Sequence, residues 1–443
     1  MKTISKCKNS MVFAAAGSLL SMSMGVHNAY AADGLFKELE GTFDHYGIKV
    51  GAWANAGVTY NGNEPDNNFN GPVTFGDRAS EFQLNQLNMF IQRAVAAEGS
   101  SWDFGGRFDI MFGTDSIFTQ AYGVPSFDVN TGMPLQRSTW DLDFLGSNSN
   151  RFYDFALPQA YLETYVPVGN GLNLKIGHFY TPIGYETVPA PDNFFYTHAY
   201  TMQYGEPFTH TGIMGNYTVD DHWAVMGGIV TGSATGGWDG GWDKQLGNWA
   251  GLAGVTWTST DKGTSLNVAG TYGGTSEHSS QPWALYSIVL KHNITDKAHL
   301  VLQHDHGFAS KALISGVPTD VEWYGINSHF YYDIHEKVTA GIRAEWFRDQ
   351  NGFRVCSPGR VSAATDNSGV SYAAAGNFAS TCAPATYYAI TAGVTWKPKP
   401  WLSLRPNVRY DWVEDSNGYT PFASGSKSAT DQVLFSTDFT VTF

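Results

Sequence analysis

Apolar and polar residues alternate along most of the chain after residue 47. Ile48, Val50, Ala52, Ala54, Ala56, Val58 and Tyr60 fall on one side of a first segment, and Lys49, Gly51, Trp53, Asn55 and Thr59 on the other. A period of two is the mark of a strand with one face in an apolar medium and one in a polar medium. The pattern returns where Trp102, Phe104, Phe108, Ile110 and Phe112 oppose Asp103, Arg107, Asp109 and Asp115. It also ends the chain, where Phe443, Val441, Phe439, Phe435 and Val433 oppose Thr442, Thr440, Asp438 and Ser436. It predicts strands over 48–60, 82–95, 102–115, 156–167, 172–181, 208–219, 223–232, 248–259, 264–275, 283–293, 298–306, 321–334, 338–349, 385–396, 401–413 and 432–443.

The connections alternate in length. Those after even-numbered strands are short, among them 168–171, 220–221, 260–263, 294–297, 335–337 and 397–400. Those after odd-numbered strands are mostly long: 61–81, 116–155, 182–207, 233–247, 307–320, 350–384 and 414–430. Short turns on one side and long loops on the other characterise a transmembrane barrel whose short turns are periplasmic. The expected fold is therefore all-β, a transmembrane antiparallel up-and-down β-barrel of 16 strands, with 14 or 18 compatible with the same spacing. Soluble propellers and sandwiches also alternate, but their strands run to about 5–6 residues and their loops do not segregate by length. Trp223, Trp257, Trp396 and Trp401 near the short turns, and Trp249, Trp283 and Trp412 near the long loops, are placed as interfacial girdles would be. The terminal strand must pair with 48–60 to remove both sheet edges. Phe439, Val441 and Phe443 then end it at the periplasmic rim and resemble the signal read by the barrel-insertion machinery.

The first 31 residues follow a different rule. Lys2, Lys6 and Lys8 precede an apolar stretch from Met11 to Val26 and the small-x-small site Ala29-Tyr30-Ala31, which together read as a signal peptide cleaved after Ala31. Residues 32–47 are then an N-terminal periplasmic segment, with the spacing of a short amphipathic helix over 35–43, and 48–443 the barrel. Export of such a barrel implies the outer membrane of a Gram-negative bacterium. Without those three lysines, 23 basic residues face 40 acidic ones, a formal charge of −17. That sign disfavours nucleic acid, whose phosphates require a basic surface. The mean hydropathy of −0.23 would suit a soluble protein, but a barrel needs only alternate apolar residues. Cys356 and Cys382 lie in one Gly/Ser/Ala-rich segment and, in an exported protein, read as a loop-closing disulfide, with two free thiols as the alternative.

The polar faces carry charge. Arg405, Arg409 and Asp411 share one strand face, Arg343 and Glu345 another. With Arg107, Asp109, Asp115, Lys175 and Asp438 they are candidate pore-lining residues, because charged side chains around a hydrated lumen set which solutes pass. The alternative is that the same charges pair across strands and stiffen the wall. Segment 182–207 holds Tyr185, Glu186, Asp192, His198 and Glu206 among many aromatics and is the candidate constriction loop. Its rivals are the longer loop 116–155 and the bland reading of a solvent-exposed loop. His304 and His306 share a face at a metal-compatible spacing, but without a third ligand no metal is assigned. The Gly-Gly-Trp-Asp repeat over 236–243 reads as surface loop. With no nucleotide-binding glycine motif and no nucleophile–base–acid set, neither enzyme activity nor a cofactor is expected.

Five segments resemble the OmpL-like family of outer-membrane β-barrel porins: Arg107–Asp115, Gln159–Glu163, Lys175–Glu186, Phe208–Gly212 and Arg343–Asp349. The resemblance is strongest between 102 and 215 and does not include the cysteine segment. It implies an outer-membrane location and a diffusion pore, and names no substrate. The layout also resembles sixteen-stranded general porins, in which the loop after the fifth strand often folds into the lumen. The expected function is passive diffusion of small hydrophilic solutes through a charged, water-filled lumen. Expected partners are those solutes, outer-membrane lipid and the insertion machinery, with a homotrimer as a compatible assembly. An adhesin or receptor acting through the long loops is the alternative. The charge of −17 favours cations, and the basic residues on the inward faces oppose that preference.

Overall fold

A computed structural model of the chain describes residues 43, 45–66, 68–96, 98–119, 153–231, 249–274, 282–314, 317–355, 383–414, 418–422 and 428–443. Residues 1–31, expected to be a signal peptide, most of loop 116–155, the Gly-Gly-Trp-Asp repeat and both Cys356 and Cys382 lie outside the described residues. The strands are β1 (Ile48–Asn61), β2 (Phe82–Arg93), β3 (Asp103–Gly113), β4 (Asp154–Ala156), β5 (Ala160–Val166), β6 (Leu172–Tyr180), β7 (Thr209–Thr218), β8 (Trp223–Thr231) and β9 (Trp249–Thr258). They continue as β10 (Thr264–Gly273), β11 (Trp283–Asn293), β12 (Ala298–Ile314), β13 (Val317–His335), β14 (Val338–Asp349), β15 (Ala385–Lys399), β16 (Leu402–Leu404), β17 (Asn407–Glu414) and β18 (Asp431–Thr442).

These eighteen pieces make a closed barrel of sixteen strands. Both β4 and β5 pair with β3, and both β16 and β17 lie between β15 and β18, so each couple is one interrupted wall strand. A proline stands in each gap, Pro158 and Pro406, where the missing N–H breaks the ladder. Neighbouring carbonyls still serve the wall: Asp109 N donates to Gln159 O at 2.8 Å and Val394 N to Pro406 O at 3.0 Å. The barrel closes where β18 meets β1, with Trp53 opposite Thr442 and Asn61 opposite Leu434. Closure leaves no unpaired edge, the condition for a sheet to cross a bilayer.

The outward face is what the alternation requires. Leu87, Met89, Ile91, Phe104, Phe108, Ile176, Ile213 and Ile229 are exposed there, and Leu162 reaches 72% exposure. A belt of this size in water would be an aggregation surface; against lipid it is the stable state. Among the described residues no helix is long and apolar enough to cross a membrane.

Two expectations need correction. Segment 307–320 was read as a loop, but β12 and β13 continue through it and stay paired to Ile314–Val317. Trp283, placed by its position beside a long connection in the outer girdle, shares the inward face of Leu285 and Val289, is fully buried, and meets Trp323 with centroids 6.3 Å apart. Segment 61–81 is the long loop its composition predicts, and it packs inward: Phe69, Val73, Phe75 and Asp77 are buried and Tyr204 donates to Pro72 O at 2.5 Å.

Candidate pore and its inward-folded segment

The chain leaves the wall after β6 and returns at β7 through one neck, where Thr181 N donates to Phe208 O at 3.0 Å. Between them, segment 182–207 crosses the barrel interior through a 3-10 turn at Ala190–Asp192 and a π-helical turn at Thr201–Gly205. Small residues on the wall make room for its large ones. A Cβ at Gly57 would fall 2.7 Å from the Tyr196 ring, and one at Gly341 would fall 2.4 Å from that of Phe194.

Arginines from the wall hold the segment. Arg343 donates to Glu186 Oε1 at 2.7 Å, to Thr197 O at 2.8 Å and to Glu345 at 2.7 Å. Arg405 donates to the carbonyls of Ala190 at 2.9 Å and Asn193 at 2.8 Å, and pairs with Asp438. Arg409 donates to His198 O at 2.8 Å and pairs with Asp411 at 2.8 Å and Glu345 at 3.3 Å. Acids on the wall take the segment's donors in return: Tyr200 N reaches Glu345 at 2.8 Å and its hydroxyl reaches Asp411 at 2.9 Å. From β2, Gln86 bonds both Val188 O and Ala190 N, and Tyr196 donates to Asn85. Glu186 also accepts from Ala199 N at 2.7 Å and lies 3.2 Å from His198 Nδ1. Burial alone would raise its pKa, but Arg343 and His198 hold its carboxyl well below the usual range.

The residues singled out in the sequence fall into two groups. Arg343, Glu345, Arg405, Arg409, Asp411 and Asp438 face inward and are buried beneath the segment. Arg107 pairs with Asp109 at 2.6 Å and lies over the Phe90 ring, while Asp115 accepts from Asn85 and Gln86. Lys175 differs from all of these. It stands opposite Glu163 with its ammonium 4.3 Å from the Tyr161 ring centroid, and no carboxylate among the described residues lies within 4.0 Å of it. Asp192 ends the 3-10 turn and is exposed, Tyr185 touches Tyr331, and Glu206 sits beside Gln303. Phe439 and Phe443 are exposed outward, and Phe443 N donates to Ala52 O at 2.8 Å.

His304 and His306 face outward. The first contacts Gly325 O at 3.0 Å and the second Glu322 at 2.8 Å. No group of three or more His, Cys, Asp or Glu among the described residues is placed to hold a metal ion. Sequence reasoning missed Lys291, which faces inward with its ammonium 5.2 Å from the Tyr185 ring centroid. The alternation of Leu285, Ser287 and Val289 before it was the available signal. It also missed the apolar inward cluster of Met214, Met226, Val230, Leu252 and Leu285, because both faces of β8 are apolar in sequence.

A closed sixteen-strand barrel with an apolar outer belt, an interior crossed by the segment after its fifth wall strand, and almost no helix is an outer-membrane barrel of the porin class. The sequence from 47 to 443 matches the family described as putative beta-barrel porin-2, OmpL-like, and the chain belongs to that family. No curated protein sequence matches it significantly. Among solved structures it resembles OprB of Pseudomonas putida, at 11% identity and TM-score 0.54 over 92% of this chain and 97% of that one. It also resembles an anion-selective porin from Comamonas acidovorans, at 8% identity and TM-score 0.53 over 89% and 99%. The outer membrane channel DcaP of Acinetobacter baumannii follows at 10% identity and TM-score 0.51 over 89% and 97%. At these identities the likeness is one of fold. Family and fold together place the protein in the outer membrane.

Proposed function

We propose that the protein is a non-enzymatic porin that lets small hydrophilic solutes diffuse passively through a water-filled lumen narrowed by segment 182–207. The observation that carries this reading is the state of the inward polar groups away from the arginine anchors. Among the described residues, the side-chain oxygens of Asn173 and Asn216, opposite one another on β6 and β7, and of Thr271 on β10 have no hydrogen-bond partner. Buried polar atoms inside a folded wall are satisfied by protein or by water, so this side of the interior calls for water. The inward lysines support the same view: among the described residues Lys175 and Lys291 are in no ion pair, whereas Arg107, Arg343, Arg405 and Arg409 are all paired. In this reading the arginines fix the constriction and the lysines face the solute. The proposal includes cleavage of residues 1–31, assembly through Phe439, Val441 and Phe443, and a loop disulfide between Cys356 and Cys382. Conductance of the folded protein in planar bilayers tests the central claim, with liposome swelling across sugars, amino acids and anions ranking the solutes. Silence from correctly folded protein refutes it and favours an adhesin acting through its loops.

A further inference from the structure

Where segment 182–207 rejoins the wall, two carboxyl groups meet. Glu206 and Asp305 of β12 are 1% and 0% exposed and lie within hydrogen-bonding reach of each other. Four other buried acids along this segment and its wall have a counter-cation: Glu186 and Glu345 have Arg343, Asp411 has Arg409, and Asp438 has Arg405, while buried Asp349 is held by three backbone N–H groups. Glu206 and Asp305 have none among the described residues. Their shared donor is the Gln303 amide, 2.8 Å from Asp305 Oδ2 and in contact with Glu206 Oε1. Two buried carboxylates without a counter-charge require a proton or a metal ion between them.

A second observation points to the ion. Ser287 stands directly opposite Asp305 on β11, on the same inward face, with its fully buried hydroxyl beside the Asp305 carboxyl and, among the described residues, in no hydrogen bond of good geometry. Gln303 can supply a further oxygen, because its amide heads a reversible chain. Asn327 donates to Gln303 Oε1 at 3.3 Å, His329 Nε2 lies 2.9 Å from Asn327 Oδ1, and Tyr331 OH lies 2.9 Å from His329 Nδ1. The orientations of amides, imidazole tautomers and hydroxyl hydrogens along such a chain can all turn together and keep every bond from Gln303 to Tyr331, at the loss of the Gln303 donations to the two carboxylates. After reversal, Gln303 Oε1 faces the two carboxylates and its Nε2 donates to Asn327 Oδ1.

We propose that Glu206, Asp305, Ser287 and Gln303 form a calcium site that clamps the C-terminal root of the inward segment to β12. The donors are all oxygen, two of them carboxylates that can bind through both atoms, which gives the six or so hard ligands calcium accepts at about 2.3–2.6 Å. The adaptable side chains and the mixed donor set suit calcium better than magnesium, which demands near-octahedral geometry and holds its waters. Glu206 is also held in place from behind. A Cβ at Gly184 would fall 2.2 Å from the Glu206 carboxyl carbon, so the carboxylate packs directly on that backbone.

The test is calcium titration by calorimetry of the full-length folded protein in detergent at pH 7.5, compared with Glu206→Gln, Asp305→Asn and Ser287→Ala. Heat-modifiable gel mobility confirms folding of each variant. Wild type should bind one calcium ion that Glu206→Gln and Asp305→Asn lose or bind at least about 10-fold more weakly. If the carboxyl variants do not fold, Ser287→Ala carries the test through a weaker affinity for that ion. Titrations identical in wild type and all folded variants overturn the proposal and assign the pair a shared proton.

Discussion

Replacing Arg343 by Met removes the guanidinium while keeping an apolar stem against the Phe195 ring, which now lies 5.3 Å from the guanidinium carbon. Four buried contacts disappear, to Glu186 at 2.7 Å, to Thr197 O at 2.8 Å, to Glu345 at 2.7 Å and to Thr391 Oγ1 at 3.4 Å. Glu345 keeps Arg409, but Glu186 is left as a buried carboxylate with only His198 and the Ala199 amide. Breaking a buried ion pair by removing one partner costs about 3–5 kcal/mol, which at about 1.4 kcal/mol per tenfold shifts the attachment of the segment by roughly 10²–10³. The loss stays local, because Arg405 still holds Ala190 and Asn193 and Arg409 still holds His198. Limited proteolysis should therefore open new cuts within 182–207, and single-channel traces should gain open–closed noise. Heat-modifiable gel mobility should stay that of a folded barrel. Adding Glu186→Gln should restore part of the protection, since no lone buried charge then remains. Wild-type proteolysis and quiet traces from Arg343→Met would refute the anchoring role of the arginine.

Three further outcomes follow from the same geometry. Lys291→Glu reverses an inward charge that has no counter-ion among the described residues, and should move the cation-to-anion permeability ratio by about 2–5-fold at low salt and less at 1 M; an unchanged reversal potential would remove Lys291 from the solute path. Because the Glu186 carboxyl is held below its ordinary range, its contribution is present above the unfolded pKa of about 4.3 and is lost as pH falls through the lower folded value. Hydrogen exchange at the Ala199 amide, which donates to Glu186, should thus stay protected through pH 5–8, and loss of protection at pH 5 would contradict the pairing. Deleting Phe443 removes its bonds to Ala52 at the seam and should lower the yield of assembled barrel far more than the conductance of what does assemble; equal yields would deny Phe443 a role in assembly.

Much of the barrel was legible in the alternation, because a membrane-crossing strand must sort its side chains between lipid and interior residue by residue. The sixteen strands, their order and the closing pair 48–60 with 432–443 follow from that sorting and from alternating turn and loop lengths. Periodicity was less able to say where a strand stops once it leaves the bilayer. That is why β12 and β13 run past the boundary read for them, and why Trp283, beside a long connection, was given to the lipid girdle.

The sequence by itself determined the fold class, the family and the two faces of the strands that alternate clearly, since these depend on local pattern. Tertiary structure decided what the inward charges meet. Arg343, Arg405 and Arg409 sit more than 130 residues from the segment they hold, and nothing in local spacing distinguishes an arginine that ends on a loop carbonyl from one that faces open water. Lys291 and the Glu206–Asp305 pair are of the same kind. Their character comes from which partners a closed wall brings within a few ångströms, and burial makes the presence or lack of a counter-charge count.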